Sequence, residues 1–388
     1  MIKRDITSAL LEFAAGYPAV ALMGPRQSGK TTLAKETFKQ HIYISLENIN
    51  QRNFAQDDPE KFLRTHDNSF GLILDEVQHV PALLSYIQTH IDTYDRPGYF
   101  ILTGSQNFIV HQSISQTLAG RVALLTLLPL SIQELKQAHK LPDTADETIL
   151  KGGYPRIYEK QLKPTAWYLN YLNTYVQQDV RQVTNVIDLD LFERFLKLCA
   201  GRVGQLVNFS SLANDCGITH NTARSWISIL QASYIIFLLQ PYYKNINKRT
   251  VKSPKLYFYD TGLICALLGI KEEQQVYPNP LYGGLFESMV ISELLKDSYN
   301  KGETPSIYFW RDSHSNEVDC LLERGTELIP IEIKAGETIS HNFFKGLNWW
   351  NTYRNQNPEK GYLVYGGTEN QTRSKGNVVS WKSIDRIE

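Results

Sequence analysis

One octapeptide constrains the fold of this chain more than any other stretch. It reads Gly24, Pro25, Arg26, Gln27, Ser28, Gly29, Lys30 and Thr31, and it matches G-x-x-x-x-G-K-[ST] at every fixed position. An apolar run at 20–23 precedes it and a helix-prone stretch at 32–40 follows, which is the strand, turn and helix context of a phosphate-binding loop. Backbone N–H groups of such a loop, and the positive end of its helix, point at phosphate oxygens. We therefore expect the octapeptide and Thr32 to bind ATP, with Lys30 on the β and γ phosphates and Thr31 on Mg²⁺.

A second motif lies at 71–76, where three apolar residues lead into Asp75 and Glu76. A buried strand that ends in two carboxylates is what a nucleotide site of this kind needs. Asp75 would bind Mg²⁺ through water, and Glu76 would polarise the attacking water as a general base. Each motif also has a non-functional explanation. The octapeptide could be a glycine loop that matches by chance, and the second motif could be a strand that ends in solvated charges. Their occurrence together favours the nucleotide site.

Length and composition set outer bounds on the protein. A chain of 388 residues predicts two or three domains, and 42% hydrophobic with 21% charged residues fits a globular protein. The 40 basic and 40 acidic residues give no net charge, so any nucleic-acid contact must come from local patches. The cysteines, Cys199, Cys216, Cys265 and Cys320, lack metal or redox spacing and suggest buried thiols in a reducing cytosol.

No segment reads as a membrane span or a secretion signal. The longest apolar stretch, 227–239, is interrupted by Gln231 and Ser233 and is too short to cross a bilayer. The chain starts with charged residues that lead into an amphipathic segment, not into an apolar core. These features predict a cytoplasmic protein with no membrane partner.

Strands and helices alternate in the first part of the chain, which predicts a parallel sheet with helices on both faces. The candidate strands are 20–23, 42–46, 72–74, 99–102 and 122–127. The fourth strand runs into Thr103, Ser105 and Asn107, and Ser105 also stands where it could cap a following helix. Arg121 follows Gly120 just before the fifth strand, where it could be a solvated helix-end arginine.

The whole pattern resembles a prokaryotic group of AAA+ (P-loop) ATPases that carry a C-terminal domain of undefined function. The residues that carry the likeness lie in 24–31, 74–78, 102–105, 118–121, 129–131 with Glu134, and 152–155. The resemblance implies that Ser105, or else Thr103 or Asn107, senses the γ-phosphate. It also implies that Arg121 is an arginine finger that acts on the neighbouring subunit's nucleotide, so that the active state is a homo-oligomer. Without the resemblance, the glycines at 152–153 indicate only a turn.

The middle of the chain has helix-turn-helix character. Amphipathic helices are expected at 171–183 and 190–200, followed by two short helices separated by Gly217, with Thr219 as cap of the second. Two strand-like stretches, 235–239 and 255–259, complete a predicted winged helix-turn-helix. In a DNA-reading version, the second helix would offer Asn221 and Arg224 to the major groove. A basic wing would neutralise phosphates through Lys244, Lys248, Arg249, Lys252 and Lys255. The alternative is a winged helix that packs against protein.

Four residues stand out in the last part of the chain: Glu287, Asp319, Glu332 and Lys334. Period two places Glu332 and Lys334 on one face of a strand, with an aspartate from the preceding strand beside them. Carboxylates so arranged would hold Mg²⁺, and Lys334 would orient water against a phosphodiester. The pattern resembles the PD-(D/E)xK restriction-endonuclease-like core, although Val318 stands where that core often has proline. Solvated strand faces also carry Glu-x-Lys pairs.

The sequence therefore predicts an α/β protein built on a P-loop NTPase (AAA+/ASCE) sheet. Its predicted domains are an ATPase at 1–170, a helical and winged-helix segment at 171–274, and a nuclease-like domain at 275–388. The predicted function is Mg·ATP hydrolysis as a switch or motor associated with nucleic acid. The alternatives are an ATP-gated DNA nuclease and a protein-interaction module that binds ATP without hydrolysing it.

Overall fold

The structure is a computed structural model of the chain, and it describes residues 2–105, 117–175, 188–242 and 252–387. Its first sheet is five-stranded and wholly parallel, with strand order β2-β3-β4-β1-β5. The strands are β1 (Ala19–Met23), β2 (Ile42–Ser45), β3 (Leu72–Asp75), β4 (Phe100–Gly104) and β5 (Val122–Thr126). The predicted strands therefore all form, with ends that differ by one or two residues. The glycine-loop strand β1 lies between β4 and β5.

Helices cover both faces of this sheet, as the alternation of strands and helices predicts. Those of the first part of the chain are α1 (Thr7–Gly16), α2 (Lys30–Thr37), α3 (Ile49–Asp57), α4 (Pro59–His66) and α5 (Leu83–Tyr94). Alternate residues of β1 belong to two different apolar cores: Ala19 and Ala21 to one, Val20 and Leu22 to the other. Because both faces are buried, the strands read as continuous apolar runs and not as alternating ones.

The chain after β5 is largely helical. It contains α6 (Ile132–Gln137), α7 (Ala145–Lys151), α8 (Pro155–Lys160), α9 (Pro164–Tyr175), α10 (Leu189–Ala200), α11 (Phe209–Cys216), α12 (His220–Ala232) and α13 (Thr261–Leu267). The predicted turn between α11 and α12 is present, with Gly217 at φ +80° and Thr222 N–H donating to Thr219 Oγ1 at 3.1 Å. Strands β6 (Ile236–Leu239) and β7 (Lys255–Phe258) pair antiparallel.

The last part of the chain forms a six-stranded mixed sheet with order β12-β13-β11-β10-β9-β8. Its strands are β8 (Ile307–Arg311), β9 (Glu317–Arg324), β10 (Glu327–Lys334), β11 (Tyr362–Tyr365), β12 (Gln371–Arg373) and β13 (Gly376–Ser380), and its helices are α14 (Tyr282–Asn300) and α15 (Lys345–Arg354). Strands β9 and β10 are antiparallel, whereas β10 and β11 are parallel.

One apolar core joins the helical middle to this last sheet. It extends from Ile2 and Leu130 through α9–α13 and α14 to Ile331 and Trp381. All four cysteines are buried and free, as the sequence predicts. Across the described residues, no helix combines the length and apolar character that crossing a membrane would take.

Candidate functional site

The octapeptide forms a turn that only glycine allows at two positions. Gly24 and Gly29 have φ of +146° and +99°, and a Cβ at Gly24 would overlap the carbonyl oxygen of Leu127. Helix α2 begins directly after, at Lys30. A cavity of about 350 Å³ opens here. It is lined by Ile2, Arg4, Gln27, Gly29, Lys30, Thr31, Thr32, Leu33, Glu76, Leu130, Pro155, Arg156, Glu159 and Lys160.

Lys30 reaches back into the loop that precedes it. Its Nζ donates to the carbonyl oxygens of Gly24 at 2.9 Å and Pro25 at 2.8 Å, and the residue is only 4% exposed. The ammonium group is therefore held inside the turn of the loop, where a nucleotide's phosphates would replace these carbonyls as its partners.

Asp75 collects hydroxyl groups at the end of β3. Thr31 Oγ1 donates to Asp75 Oδ1 at 2.8 Å, Tyr43 OH donates to Oδ2 at 2.8 Å, and Thr103 Oγ1 donates to Oδ1. Burial and this bond to Asp75 raise the pKa of Tyr43 to about 12. The Thr31 hydroxyl and the Asp75 carboxylate are hard oxygen donors in direct contact, so this pair fits Mg²⁺.

Glu76 adopts left-handed backbone geometry, with φ of 58°, which is strained for a residue with a side chain. Ser105 Oγ donates to Glu76 Oε2 at 2.9 Å, and Gln78 Nε2 donates to the same oxygen. Burial pushes the pKa of Glu76 up, but the charge of Lys30 and these hydrogen bonds outweigh it and leave the pKa below its usual value. Glu76 is therefore ionised at neutral pH, as a general base must be.

The three candidates for a γ-phosphate sensor differ in what they contact. Ser105 bonds to Glu76, while Thr103 bonds to Asp75 and accepts the Glu76 N–H at 3.2 Å. Asn107 lies outside the described residues, as does the helix that Ser105 could have capped. Ser105 thus lies beside Glu76, the candidate general base, and Thr103 hydrogen-bonds to both Asp75 and Glu76.

Arg4 holds the glycine loop from beneath, and nothing in the sequence singled it out. Its guanidinium donates to the carbonyl oxygens of Ser28 and Leu128, each at 2.7 Å, and to Glu134 Oε1 at 2.9 Å. Glu134 in turn forms a capping box with Ser131 at the start of α6. Glu134 is one of the residues that carry the family resemblance, and these contacts give a structural reason for it. Its carboxylate holds Arg4 in place, and Arg4 in turn holds the glycine loop.

The paired glycines at 152–153 are explained by close approach. Leu130 N–H donates to the Gly153 carbonyl at 2.7 Å, and Gly153 N–H donates to Asp260 Oδ2 at 2.7 Å. A Cβ at Gly152 would overlap Asp260 Oδ1 and the Tyr168 hydroxyl. Asp260 Oδ1 also accepts the Leu263 N–H at 3.2 Å and so caps the start of α13.

Arg121 lies at the opposite end of β1 from the glycine loop. The Arg121 carbonyl accepts the N–H of Ala19, the first residue of β1, whereas the loop follows Met23, the last. A five-residue strand spans about 16 Å. The exposed Arg121 side chain pairs with Asp92, with Nε–Oδ1 at 2.5 Å and Nη2–Oδ2 at 3.0 Å. Arg121 is therefore remote from the loop of its own chain.

The candidate DNA contacts are only partly described. Asn221 and Arg224 are exposed on α12, while Lys248 and Arg249 lie outside the described residues. The assignment of Lys255 to a basic wing is wrong. Lys255 is 4% exposed and pairs with Glu287 Oε1 at 3.0 Å and Glu317 Oε1 at 2.5 Å. These carboxylates neutralise its charge, and its ammonium group is buried and not available to a phosphate backbone.

Strands β9 and β10 bring Asp319, Glu332 and Lys334 together. Lys334 Nζ lies 2.7 Å from Asp319 Oδ2 and 2.7 Å from Glu332 Oε2, and Ile333 N–H donates to Asp319 Oδ2 at 2.8 Å. Burial tends to raise the pKa of Asp319, but the charges of Lys334 and Lys255 hold it below its usual value. Burial and the charge of Asp319 raise the pKa of Glu332 well above its usual range.

Glu287 joins this group from α14. Tyr257 OH donates to Glu287 Oε1 at 2.5 Å, and the same oxygen pairs with Lys255. Burial, and to a smaller degree the charge of Asp319, raise the pKa of Glu287, against the opposing charge of Lys255. We call Glu287, Glu317, Asp319 and Glu332 the carboxylate cluster. The sequence indicated three of these carboxylates but not Glu317. It also gave no sign that Tyr257 and Lys255 contact the cluster.

The carboxylate cluster does not fit Mg²⁺ in this arrangement. Its oxygens are of the right chemical kind, but two lysine ammonium groups bridge them in pairs. No group of three or more acidic, histidine or cysteine side chains that could hold a metal ion occurs in the described parts of the chain. The predicted metal coordination by Glu287, Asp319 and Glu332 is therefore not realised here.

Comparison with known families assigns each third of the chain. Residues 16–136 match the model of a family described as an AAA domain. Residues 142–274 and 282–384 match two families described as domains of unknown function, DUF8612 and DUF4143 respectively. The AAA match agrees with the sheet order and the glycine loop, and the fold is an α/β fold of the P-loop NTPase type with a C-terminal mixed-sheet part.

The relatives that align with most of this chain, and the solved structures that resemble it, have low sequence identity to it. An uncharacterized protein of Mycobacterium tuberculosis is 29% identical over 87% of this chain and 75% of its own length, and one of Methanocaldococcus jannaschii is 24% identical over 94% and 84%. The Walker-type ATPase PABY2304 of Pyrococcus abyssi is 14% identical, covering 69% of this chain and 96% of its own, with a TM-score of 0.47. The Thermotoga maritima RuvB Holliday junction branch migration motor is 22% identical, covering 61% and 89%, with a TM-score of 0.33. Superpositions this loose carry no argument about function.

Proposed function

We propose that this protein is an Mg·ATP-dependent ATPase that acts as a switch or motor in association with nucleic acid. The observation that carries the proposal is the meeting of Lys30, Thr31, Asp75 and Glu76 around one glycine loop. The AAA match over residues 16–136 supports it.

Each residue has a role that its contacts support. Lys30 would exchange its two loop carbonyls for β and γ phosphate oxygens, and the loop N–H groups would bind the remaining charge. Thr31 and Asp75 would hold Mg²⁺, which neutralises phosphate charge when bound. Glu76, ionised and oriented by Ser105 and Gln78, would accept the proton of the attacking water. Arg156 and Lys160 of α8 border the cavity and would add positive charge.

Arg121 would act on the nucleotide of a neighbouring subunit. Because about a strand length separates it from its own glycine loop, it can meet only a phosphate that another molecule holds. Its present partner Asp92 is exposed, so exchanging that carboxylate for a phosphoryl group requires no buried rearrangement. An arginine supplied in this way typically contributes about 10³–10⁵ in rate.

The test measures molecular mass in solution with and without Mg·ATP, beside phosphate release. We expect ATP to favour an oligomer that hydrolyses ATP, and Arg121→Ala to lower the rate about 10³-fold or more. Mixing Arg121→Ala with Lys30→Ala subunits should restore part of the activity, because each supplies what the other lacks. Mixing Arg121→Ala with a Lys30→Ala/Arg121→Ala double variant should restore none.

Asp92→Asn is the matched control for this experiment. It breaks the same ion pair but keeps the guanidinium, so its activity should stay near that of the wild type. An equal loss in Asp92→Asn and Arg121→Ala would assign Arg121 a structural role only. ATP binding without any phosphate release, at high protein concentration, would favour the interaction-module alternative.

A second candidate function is cleavage of DNA in the last part of the chain. The contacts among Asp319, Glu332 and Lys334 favour it, and Asn221 and Arg224 on α12 would contact the DNA. Cleavage would also require the Lys255 ammonium to leave the carboxylate cluster. We expect plasmid nicking with Mg²⁺ or Mn²⁺ that is lost in Lys334→Ala and kept in Lys360→Ala, a change of an exposed lysine that pairs with the exposed Glu327. The absence of cleavage with either metal would remove this candidate.

A further inference from the structure

Strand β8 and helix α15 bring three aromatic rings together at the surface of the last part of the chain. The ring of Trp310 stacks on that of Trp349, with centroids 4.4 Å apart, and the ring of Trp349 stacks on that of Tyr353 at 4.8 Å. Trp310 is 2% exposed, Trp349 is partly buried and Tyr353 is 45% exposed. We call these three side chains the aromatic platform, since they are anchored in the core and open to solvent at Tyr353.

Helix α15 is held on the sheet by other side chains. Trp349 and Tyr353 lie one helical turn apart and so share a face of the helix. Leu347 and Trp350, which are both fully buried, anchor α15 in the core. Single exposed apolar side chains are normal on a protein surface, but stacked rings that extend from the core to solvent indicate a binding surface.

The charged residues on this side of α15 are basic. No acidic residue occurs at 338–358, and Lys345 and Arg354 of this stretch are exposed. Arg311 follows Trp310 directly, and its contact with Glu317 is long, at 3.4 Å, whereas Glu317 lies 2.5 Å from Lys255. Stacking rings flanked by cations are the combination that binds single-stranded nucleic acid, in which base faces and phosphates are both accessible.

An unsatisfied hydrogen-bond donor favours the same kind of ligand. Trp310 Nε1 is buried, and it has no acceptor among the described residues. An indole N–H can only donate, so a ligand that satisfies it must bring an acceptor atom. Nucleotides carry acceptors on base, sugar and phosphate, whereas aliphatic side chains carry none. Thr352 and Asn355, the exposed residues beside Tyr353, are polar as well. A nucleic acid therefore fits this surface better than an apolar protein partner.

We propose that the aromatic platform binds single-stranded nucleic acid by stacking unpaired bases on Trp349 and Tyr353. Lys345 and Arg354 neutralise phosphates of the same strand. A duplex keeps its base faces inside its own stack, so the platform favours single strands over duplexes. The inference rests on the proposed association with nucleic acid and specifies the form of nucleic acid bound, but strand binding is measured without ATP.

The experiment measures, by fluorescence anisotropy, the affinity of the nucleotide-free protein for a labelled oligo-dT of about 15 nucleotides. A duplex of the same length is titrated beside it, and we expect the single strand to bind more tightly. Tyr353→Ala should weaken single-strand binding about 5- to 100-fold, because a stacking partner of the bases is lost. Tyr353→Phe keeps the ring and should bind like the wild type. Tyr277→Ala, a change of a tyrosine that is 69% exposed outside the platform, is the matched control.

Circular dichroism should show that both Tyr353 variants are folded, since this side chain is exposed. Equal affinity of the wild type and Tyr353→Ala, an equal loss in Tyr353→Ala and Tyr353→Phe, or tighter binding of the duplex would overturn the proposal. Absence of oligonucleotide binding by the wild type would also overturn it and would leave the platform as a surface for a protein partner.

The outcome is distinguishable from that of the proposed ATPase function. Single-strand binding that depends on Tyr353, in a protein that never releases phosphate, would support this inference and refute the ATPase. Phosphate release by a protein that binds no oligonucleotide would do the reverse.

Discussion

Replacing Lys30 by alanine is expected to abolish ATP binding. The ammonium group is fixed inside the glycine loop by the Gly24 and Pro25 carbonyls, so it is already placed where the phosphates would lie. Hydrogen bonds to charged groups contribute about 1.5–3 kcal/mol each. The loss of the two hydrogen bonds that Lys30 would make to phosphate oxygens lowers the affinity for ATP by about 10²–10⁴-fold. Calorimetric titration with Mg·ATP measures the effect.

Lys39→Ala serves as the control for that titration. Lys39 is an exposed lysine just beyond α2, and its nearest acidic partner, Glu36, lies 3.9 Å away. Its replacement should leave ATP binding unchanged. Circular dichroism should show that both variants are folded, because Lys30 is itself buried. ATP retention by a folded Lys30→Ala variant would contradict the assignment of the glycine loop.

Replacing Glu76 by glutamine is expected to separate binding from turnover. The glutamine keeps the size of the side chain and one oxygen that can accept from Ser105, but it cannot take a proton from water. Loss of a general base lowers the rate by about 10²–10⁴-fold. ATP affinity should stay at the wild-type value, since Glu76 has no proposed contact with phosphate. Single-turnover phosphate release and calorimetry measure the two quantities.

Glu36→Gln, a change of an exposed glutamate on α2, is the matched control and should alter neither quantity. A Glu76→Gln variant that hydrolyses ATP at the wild-type rate would show that another group activates the water. Loss of ATP binding in the same variant would instead indicate that Glu76 supports the loop structurally, through its electrostatic interaction with Lys30.

The nucleotide motifs could be found in the sequence because their chemistry is local. A turn that requires positive φ selects glycine at 24 and 29, and a strand buried on both faces selects the apolar runs that end at Met23 and Asp75. The alternation of strands and helices then predicts a parallel sheet, which the structure contains. The pairing of Asp319 with Lys334 was likewise within reach, since two adjacent strands and a period of two bring them together.

Contacts between distant segments lay beyond sequence reasoning. Arg4 and Glu134 are 130 positions apart, and no periodicity links them. The two glycines at 152–153 indicated a turn. In the structure, glycine is needed at these positions because Asp260 and Leu130 approach the backbone too closely for a side chain. The basic character of Lys255 suggested a phosphate contact, because a sequence displays charge but not burial.

The sequence by itself determined the P-loop sheet and the grouping of Lys30, Thr31, Asp75 and Glu76, since these follow from backbone geometry and from residues that are neighbours in the chain or on paired strands. Only the tertiary structure decided which ions compensate each other: Arg4 with Glu134, Lys255 with Glu287 and Glu317. The physical reason is that a buried charge must find its partner in space, and that partner is chosen by the packing of whole elements rather than by spacing along the chain.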